Sequence, residues 1–146
     1  MKAFKILSTI LLLSLFGSAT AFAASDSWEE ERPRYTIYFD GGYSETLFSN
    51  LQTPRTGAQI TNVEWDWVGY SNGYDNQIVE MCYRAPYSYT STNCLNISDS
   101  STGATSAYNG FNPRGTIVLR FILSGGTYYA YGTSGADDKI KVTYSY

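Results

Sequence analysis

The chain has 146 residues, 43% of them hydrophobic and 16% aromatic, with two cysteines, no histidine and a formal net charge of −3. The missing imidazole excludes nucleophiles activated by histidine and zinc sites with a histidine ligand, and two thiols are too few for an all-cysteine zinc cluster. The length fits one domain of the usual ~100–150 residues.

Lys2 and Lys5 precede an uncharged apolar run, Ile6 to Phe16, which gives way to Gly17, Ser18 and several alanines. A positive start, an apolar stretch of about 7–15 residues and a small-x-small site define a secretory signal peptide. The run falls short of the roughly 20 residues that span a bilayer. The expected cut lies after Ala23, which makes residues 1–23 the signal peptide and leaves a single mature domain, 24–146, of 146 − 23 = 123 residues with no membrane span. Without Lys2 and Lys5 the mature chain keeps 10 − 2 = 8 basic and 13 acidic residues, a net charge of −5. That sign argues against nucleic acid and anionic lipid as partners. Export, to the periplasm or beyond the cell, also carries the chain to where disulfides persist.

In chain order, residues 24–33 hold Asp26 and Glu29-Glu30-Glu31 and read as a mobile lead-in. Tyr35–Phe39 is a weak strand, followed by the turn signal Asp40-Gly41-Gly42. Val63–Tyr70 alternates apolar and charged residues over its first five positions, as a half-buried strand does. Beyond Ser71-Asn72-Gly73 come the weaker strands Gln77–Arg84 and Cys94–Ile97, then a short one near Ala107–Tyr108 before Asn109-Gly110. Thr116–Leu123 places Ile117, Leu119, Phe121 and Leu123 on one face and Arg120 on the other. Ser124-Gly125-Gly126 is a hairpin signal leading into Thr127–Tyr131, and Ser134-Gly135 precedes a last strand, Lys139–Tyr146. Ile140, Val142, Tyr144 and Tyr146 alternate there with Lys139, Lys141, Thr143 and Ser145.

No ten-residue stretch of the mature chain carries a helical apolar stripe, so the expected class is all-β. Seven or eight short strands point to an antiparallel β-sandwich, with a small closed barrel as the alternative. A final strand ending in an aromatic residue also suits an outer-membrane barrel, but Arg34, Asp40, Glu45 and Arg55 interrupt any lipid-facing band.

Cys82 and Cys94, with eleven residues between them, are expected to form one disulfide between neighbouring strands. A loop of that length gains on the order of 3 kcal/mol from closure. The bridged loop contains Tyr83, Arg84, Tyr87 and Tyr89. A tyrosine ring offers a flat apolar face and a hydroxyl at low entropic cost, so Arg84, Tyr87 and Tyr89 are the candidate binding residues. Glu64 and Asp66, on one face of a strand with Glu80 on a neighbour, are the carboxylates that could serve hydrolysis or hold calcium. The simpler reading is a solvated strand face opposite Val63, Trp65 and Trp67. Asp137-Asp138 lacks the spacing of a calcium loop and reads as a turn. No cofactor, metal site or catalytic residue is expected.

The order of these features has a counterpart. Trp28 is followed by Val63-x-Trp65-x-Trp67, Val79-x-Met81-Cys82, Cys94-Leu-Asn-Ile97 and a Gly/Thr/Ser stretch from Gly103 to Tyr108. Val118-Leu-Arg-Phe121, Gly125-Gly126 and Ile140-x-Val142-x-Tyr144 complete the succession. It resembles the FlhE family of periplasmic flagellar proteins, small exported β-domains with a cysteine pair and a closing strand of this kind. The resemblance implies a non-enzymatic accessory that contacts a protein partner in the cell envelope, in flagellum assembly or in limiting proton leak through the flagellar export apparatus. The alternative class is an adhesin, fimbrial-type subunit or carbohydrate-binding module that uses the tyrosine-rich loop.

Overall fold

A computed structural model describes residues 23–130 and 137–146. The expected signal peptide, apart from Ala23, and the Ser134-Gly135 turn lie outside them. The described residues form eight strands: β1 (Ser25–Arg32), β2 (Tyr43–Phe48), β3 (Gln59–Asp66), β4 (Asn76–Arg84), β5 (Ser91–Asn96), β6 (Thr102–Thr105), β7 (Thr116–Ser124) and β8 (Asp138–Ser145). They build two four-stranded sheets, ordered β1-β8-β3-β6 and β2-β7-β4-β5. Every pairing is antiparallel. The architecture is the expected sandwich rather than a closed barrel.

Alternation sets the core. Trp28, Ile60, Val63, Ile140, Val142 and Tyr144 face inward from the first sheet. Phe48, Val79, Met81, Tyr83, Ile117, Leu119, Phe121 and Leu123 face them from the second. Each large side chain removed from water contributes about 1.5–3 kcal/mol. Tyr108 enters the core from the β6–β7 connection. It is fully buried, and its hydroxyl donates to the Met81 carbonyl at 2.6 Å. Burial pushes this phenol well above its ordinary pKa.

Three expectations change, and β2 is a strand that the sequence reading lacks. The lead-in 24–33 is instead edge strand β1, in register with β8 from Ser25↔Ser145 to Arg32↔Asp138. Its charges follow from the edge position: only Trp28 turns fully inward, and carboxylates along an exposed edge discourage pairing with another chain. β2 escapes the pattern because its inward positions before Phe48 are Ser44 and Thr46, while Tyr43 and Leu47 point out. The weak strands Tyr35–Phe39 and Thr127–Tyr131 pair through the backbone, over their described residues, only at an isolated bridge between Ile37 and Ala130. Tyr128 and Tyr129 adopt φ of +56° and +68°, which breaks the extended run. The short strand expected near Ala107–Tyr108 is a turn, and β6 lies just before it; the apolar signal there came from the core plug Tyr108.

Candidate interaction surfaces

Cys82 and Cys94 are disulfide-bonded across β4 and β5. The register shifts there, so that Met81 opposes Leu95 but Tyr83 opposes Thr92, and Asn93 takes a φ of +50°. This bulge and its bridge hold the β4–β5 hairpin. At the tip, the Ser88 N–H donates to the Ala85 carbonyl at 3.0 Å and the Thr90 N–H to Ser88 Oγ at 3.1 Å. Tyr87 and Tyr89 project from that tip, 96% and 94% exposed. Tyr87 has a φ of +63°, a left-handed conformation that costs a non-glycine residue roughly 1–2 kcal/mol. Arg84 does not join them. Its guanidinium Nη2 donates to Glu45 Oε2 at 3.3 Å and to Ser91 Oγ at 3.1 Å, on the outer face of the sheet.

The carboxylates are dispersed. Glu64 and Asp66 lie on the outer face of the first sheet, in rows Glu29–Lys141–Glu64 and Glu31–Lys139–Asp66. Lys139 Nζ lies 2.6 Å from Glu31 and 3.6 Å from Glu29, and Lys141 Nζ lies 3.5 Å from Glu64. The hydrogen bond and charge of Glu31, with Glu29 behind it, raise the Lys139 ammonium pKa. Glu29, Glu64, Asp66, Lys139, Lys141 and Trp65 border a shallow, open depression. Glu80 is on the outer face of the other sheet, 3.5 Å from Arg120. The trio of carboxylates is therefore not assembled. Glu80 does lie close to the two cysteine sulfurs, but these are bonded to each other and offer no thiolate to a metal.

Asp137-Asp138 is not simply a turn. Asp137 is exposed, whereas Asp138 opens β8 and is fully buried. Arg34 Nη2 donates to Asp138 Oδ1 at 2.8 Å and the Val68 N–H to the same oxygen at 3.1 Å. The guanidinium carbon of Arg34 sits 5.2 Å from the Tyr70 ring centre and 5.1 Å from that of Phe121. Burial raises the Asp138 carboxyl to about 6, against the opposing charge of Arg34 and the Val68 N–H. The Tyr70 hydroxyl donates to the Tyr35 carbonyl and lies 2.8 Å from Ser44 Oγ. One buried cluster thus ties the β1–β2 and β3–β4 connections to the start of β8.

Above this cluster is a surface the strand pattern concealed. Tyr35, Tyr38, Phe39 and Tyr129 are each about two-thirds exposed. Tyr38 and Tyr129 meet edge to face at 6.2 Å, beside the Ile37–Ala130 bridge. In sequence these rings look like ordinary strand aromatics. The available signal was Pro33 before them and Gly125-Gly126 ahead of Tyr129, which mark connections rather than strands.

Among the described residues no helix is long and apolar enough to cross a membrane. No protein-family model matches the sequence, and no curated protein matches it. Among solved structures the chain is similar to a crystal structure of FlhE, with a TM-score of 0.66 and 17% identity, over 85% of this chain and 100% of that one. The fold is FlhE-like.

Proposed function

We propose that this chain is an exported, non-enzymatic accessory of the flagellum that acts in the periplasm by contact with another envelope protein. Its place is in flagellum assembly or in limiting proton leak through the export apparatus. The observation that carries the reading is the FlhE-like sandwich, which takes in the whole of the compared chain. The order of tryptophans, cysteines and closing strand in the sequence supports it independently. The disposition of the charges supports action by contact: Lys139 and Lys141 line the Glu64–Asp66 face, and Glu45 and Glu80 hold arginines.

Deleting the gene and measuring swimming at neutral, acid and alkaline pH tests the role. Impaired swimming restored by the full-length gene is the expected result. Unchanged swimming at all three pH values would remove the flagellar assignment. A binding module centred on Tyr87 and Tyr89 is the second reading, favoured by the near-complete exposure of both rings on a disulfide-held hairpin. A glycan array probed with the protein and its Tyr87→Ala/Tyr89→Ala variant decides it, since carbohydrate binding lost in the variant is its requirement.

A further inference from the structure

The connections at the two ends of the sandwich differ in charge. Segments 33–42, 67–75, 97–101 and 125–130, with residue 137, meet where β2, β4 and β8 begin and β3, β5 and β7 finish. In sequence they contain the carboxylates Asp40, Asp75, Asp99 and Asp137, all exposed, and a single cation, Arg34, which is bound to the buried Asp138. Segments 49–58, 85–90 and 106–115 at the other end contain Arg55 and Arg114 and no carboxylate.

The acidic end is also the one that displays Tyr35, Tyr38, Phe39 and Tyr129. The four rings are each about two-thirds exposed on the connections of this end, and Tyr38 and Tyr129 touch edge to face. Asp40 is built into this surface, since its Oδ1 accepts from the Gly125 N–H at 3.0 Å and from the Tyr128 hydroxyl at 3.4 Å. The Tyr128 phenol is raised by desolvation and by the negative charge of Asp40 and Asp75.

We infer that this end is the partner-binding face and that it takes a protein segment bearing arginine or lysine side chains. The inference rests on the proposed action by protein contact and names the face and the chemistry. Exposed π faces attract a guanidinium or ammonium group, and a carboxylate rim adds to the attraction. The chain uses the same combination within itself: Arg34 lies against Tyr70 and Phe121 beside Asp138, and Arg120 lies 5.7 Å from the Tyr43 ring centre beside Glu45. The partner's cations would repeat that arrangement at the surface.

The test is a titration of the protein, followed by amide chemical shifts, with a Gly/Ser peptide carrying four arginines. Matched peptides carry citrulline or glutamate at those positions. The arginine peptide should bind about tenfold more tightly than the citrulline peptide, and added salt should weaken it. Tyr38→Ala/Tyr129→Ala should lose about tenfold in affinity, and Asp75→Asn/Asp99→Asn/Asp137→Asn about fivefold with a flatter salt dependence. Tyr87→Ala/Tyr89→Ala, at the other end, should bind as the parent does. Equal binding of the three peptides, or shifts centred on residues 85–90, would overturn the inference. So would self-association that Tyr38→Ala/Tyr129→Ala abolishes, which would give the face to a second copy. In cells, a swimming defect fully restored by Tyr38→Ala/Tyr129→Ala removes this face while leaving the proposed role intact. Absence of any defect on deletion removes the role itself, and the titration then decides the face alone.

Discussion

Arg34 and Asp138 meet at 2.8 Å with both side chains fully out of water, at the junction of three connections. Glu45, Arg84, Arg120 and Glu80 pair at 2.7–3.5 Å on an outer sheet face, with 14–29% of each side chain still solvated. Equal distances do not mean equal energies. The exposed network gives up little hydration and gains little, about 0–1 kcal/mol for each pair. The buried pair gave up its hydration when the chain folded, so its value lies in what remains if one partner is removed. Among the described residues Asp138 Oδ2 has no hydrogen-bond partner, which leaves the site little with which to absorb such a loss.

The largest expected effect follows from that difference. Arg34→Ala strands a buried carboxylate and Asp138→Ala takes the counter-charge from a buried guanidinium, and each should cost about 3–5 kcal/mol in urea unfolding. Replacing both, as Arg34→Met/Asp138→Leu, should recover much of the loss. A deficit of about 1–3 kcal/mol should remain because the Val68 N–H loses its acceptor. Single variants that cost less than about 1 kcal/mol would erase the distinction between the two assemblies.

Titration sharpens the same contrast. The Asp138 carboxyl, ordinarily at 3.8, is raised by burial to about 6. Between those values the folded chain holds a proton that the unfolded chain has released. Stability contributed by this group therefore falls as pH rises from about 4 to 6, by up to about 3 kcal/mol, and is level on either side. Urea unfolding across that range should show the slope in the parent and lose it in Asp138→Asn.

Much of the sandwich was legible because its inner strands obey a period of two: β7 and β8 bury the alternate residues that the sequence nominates, except Tyr146, which lies past the end of β8 and is exposed. The Cys82–Cys94 bond was legible from the expected export and the loop length. The edges were not, since β1 is selected for charge and β2 turns small hydroxyls inward, so neither carries the apolar signal. The candidate sites fared similarly. The exposure of Tyr87 and Tyr89 was legible because they lie in the loop between the cysteines, but Arg84 sits at a strand end and its direction depends on Glu45, thirty-nine residues away. Asp138 looked like half of an ordinary acidic turn because nothing local marks a carboxylate whose partner, Arg34, is 104 positions distant. Long-range pairing decides such residues, and one sequence carries no record of it.

The disulfide bears on the exposed network, because Arg84 lies two residues beyond Cys82 and bonds Ser91 across the bridged pair of strands. Cys82→Ala/Cys94→Ala should lower stability by about 3 kcal/mol through release of the closed loop. Amide exchange should rise along β5 and the hairpin while the Arg34–Asp138 junction stays protected. Equal loss of protection at both places would mean that the two regions open together.

The smallest effect compares two outer faces. Glu45 accepts from Arg120 Nη2 at 2.7 Å and Nε at 3.0 Å and from Arg84 at 3.3 Å, and the bond to Glu45 is the first cause of the raised Arg120 pKa. Glu64 has Lys141 at 3.5 Å, with both side chains well exposed. Glu45→Gln should cost about 1 kcal/mol, reduced in high salt, whereas Glu64→Gln should stay within about 0.5 kcal/mol. The ranking tests geometry against charge: the β1-β8-β3 face has as many opposite charges in register, but its lysines keep their water and its carboxylates hold no fork. If Glu64→Gln proved the costlier, the lysine rows would be a structural clamp, and the open face they line would have to be reconsidered as a part of the molecule that holds its edge strand β1 in place.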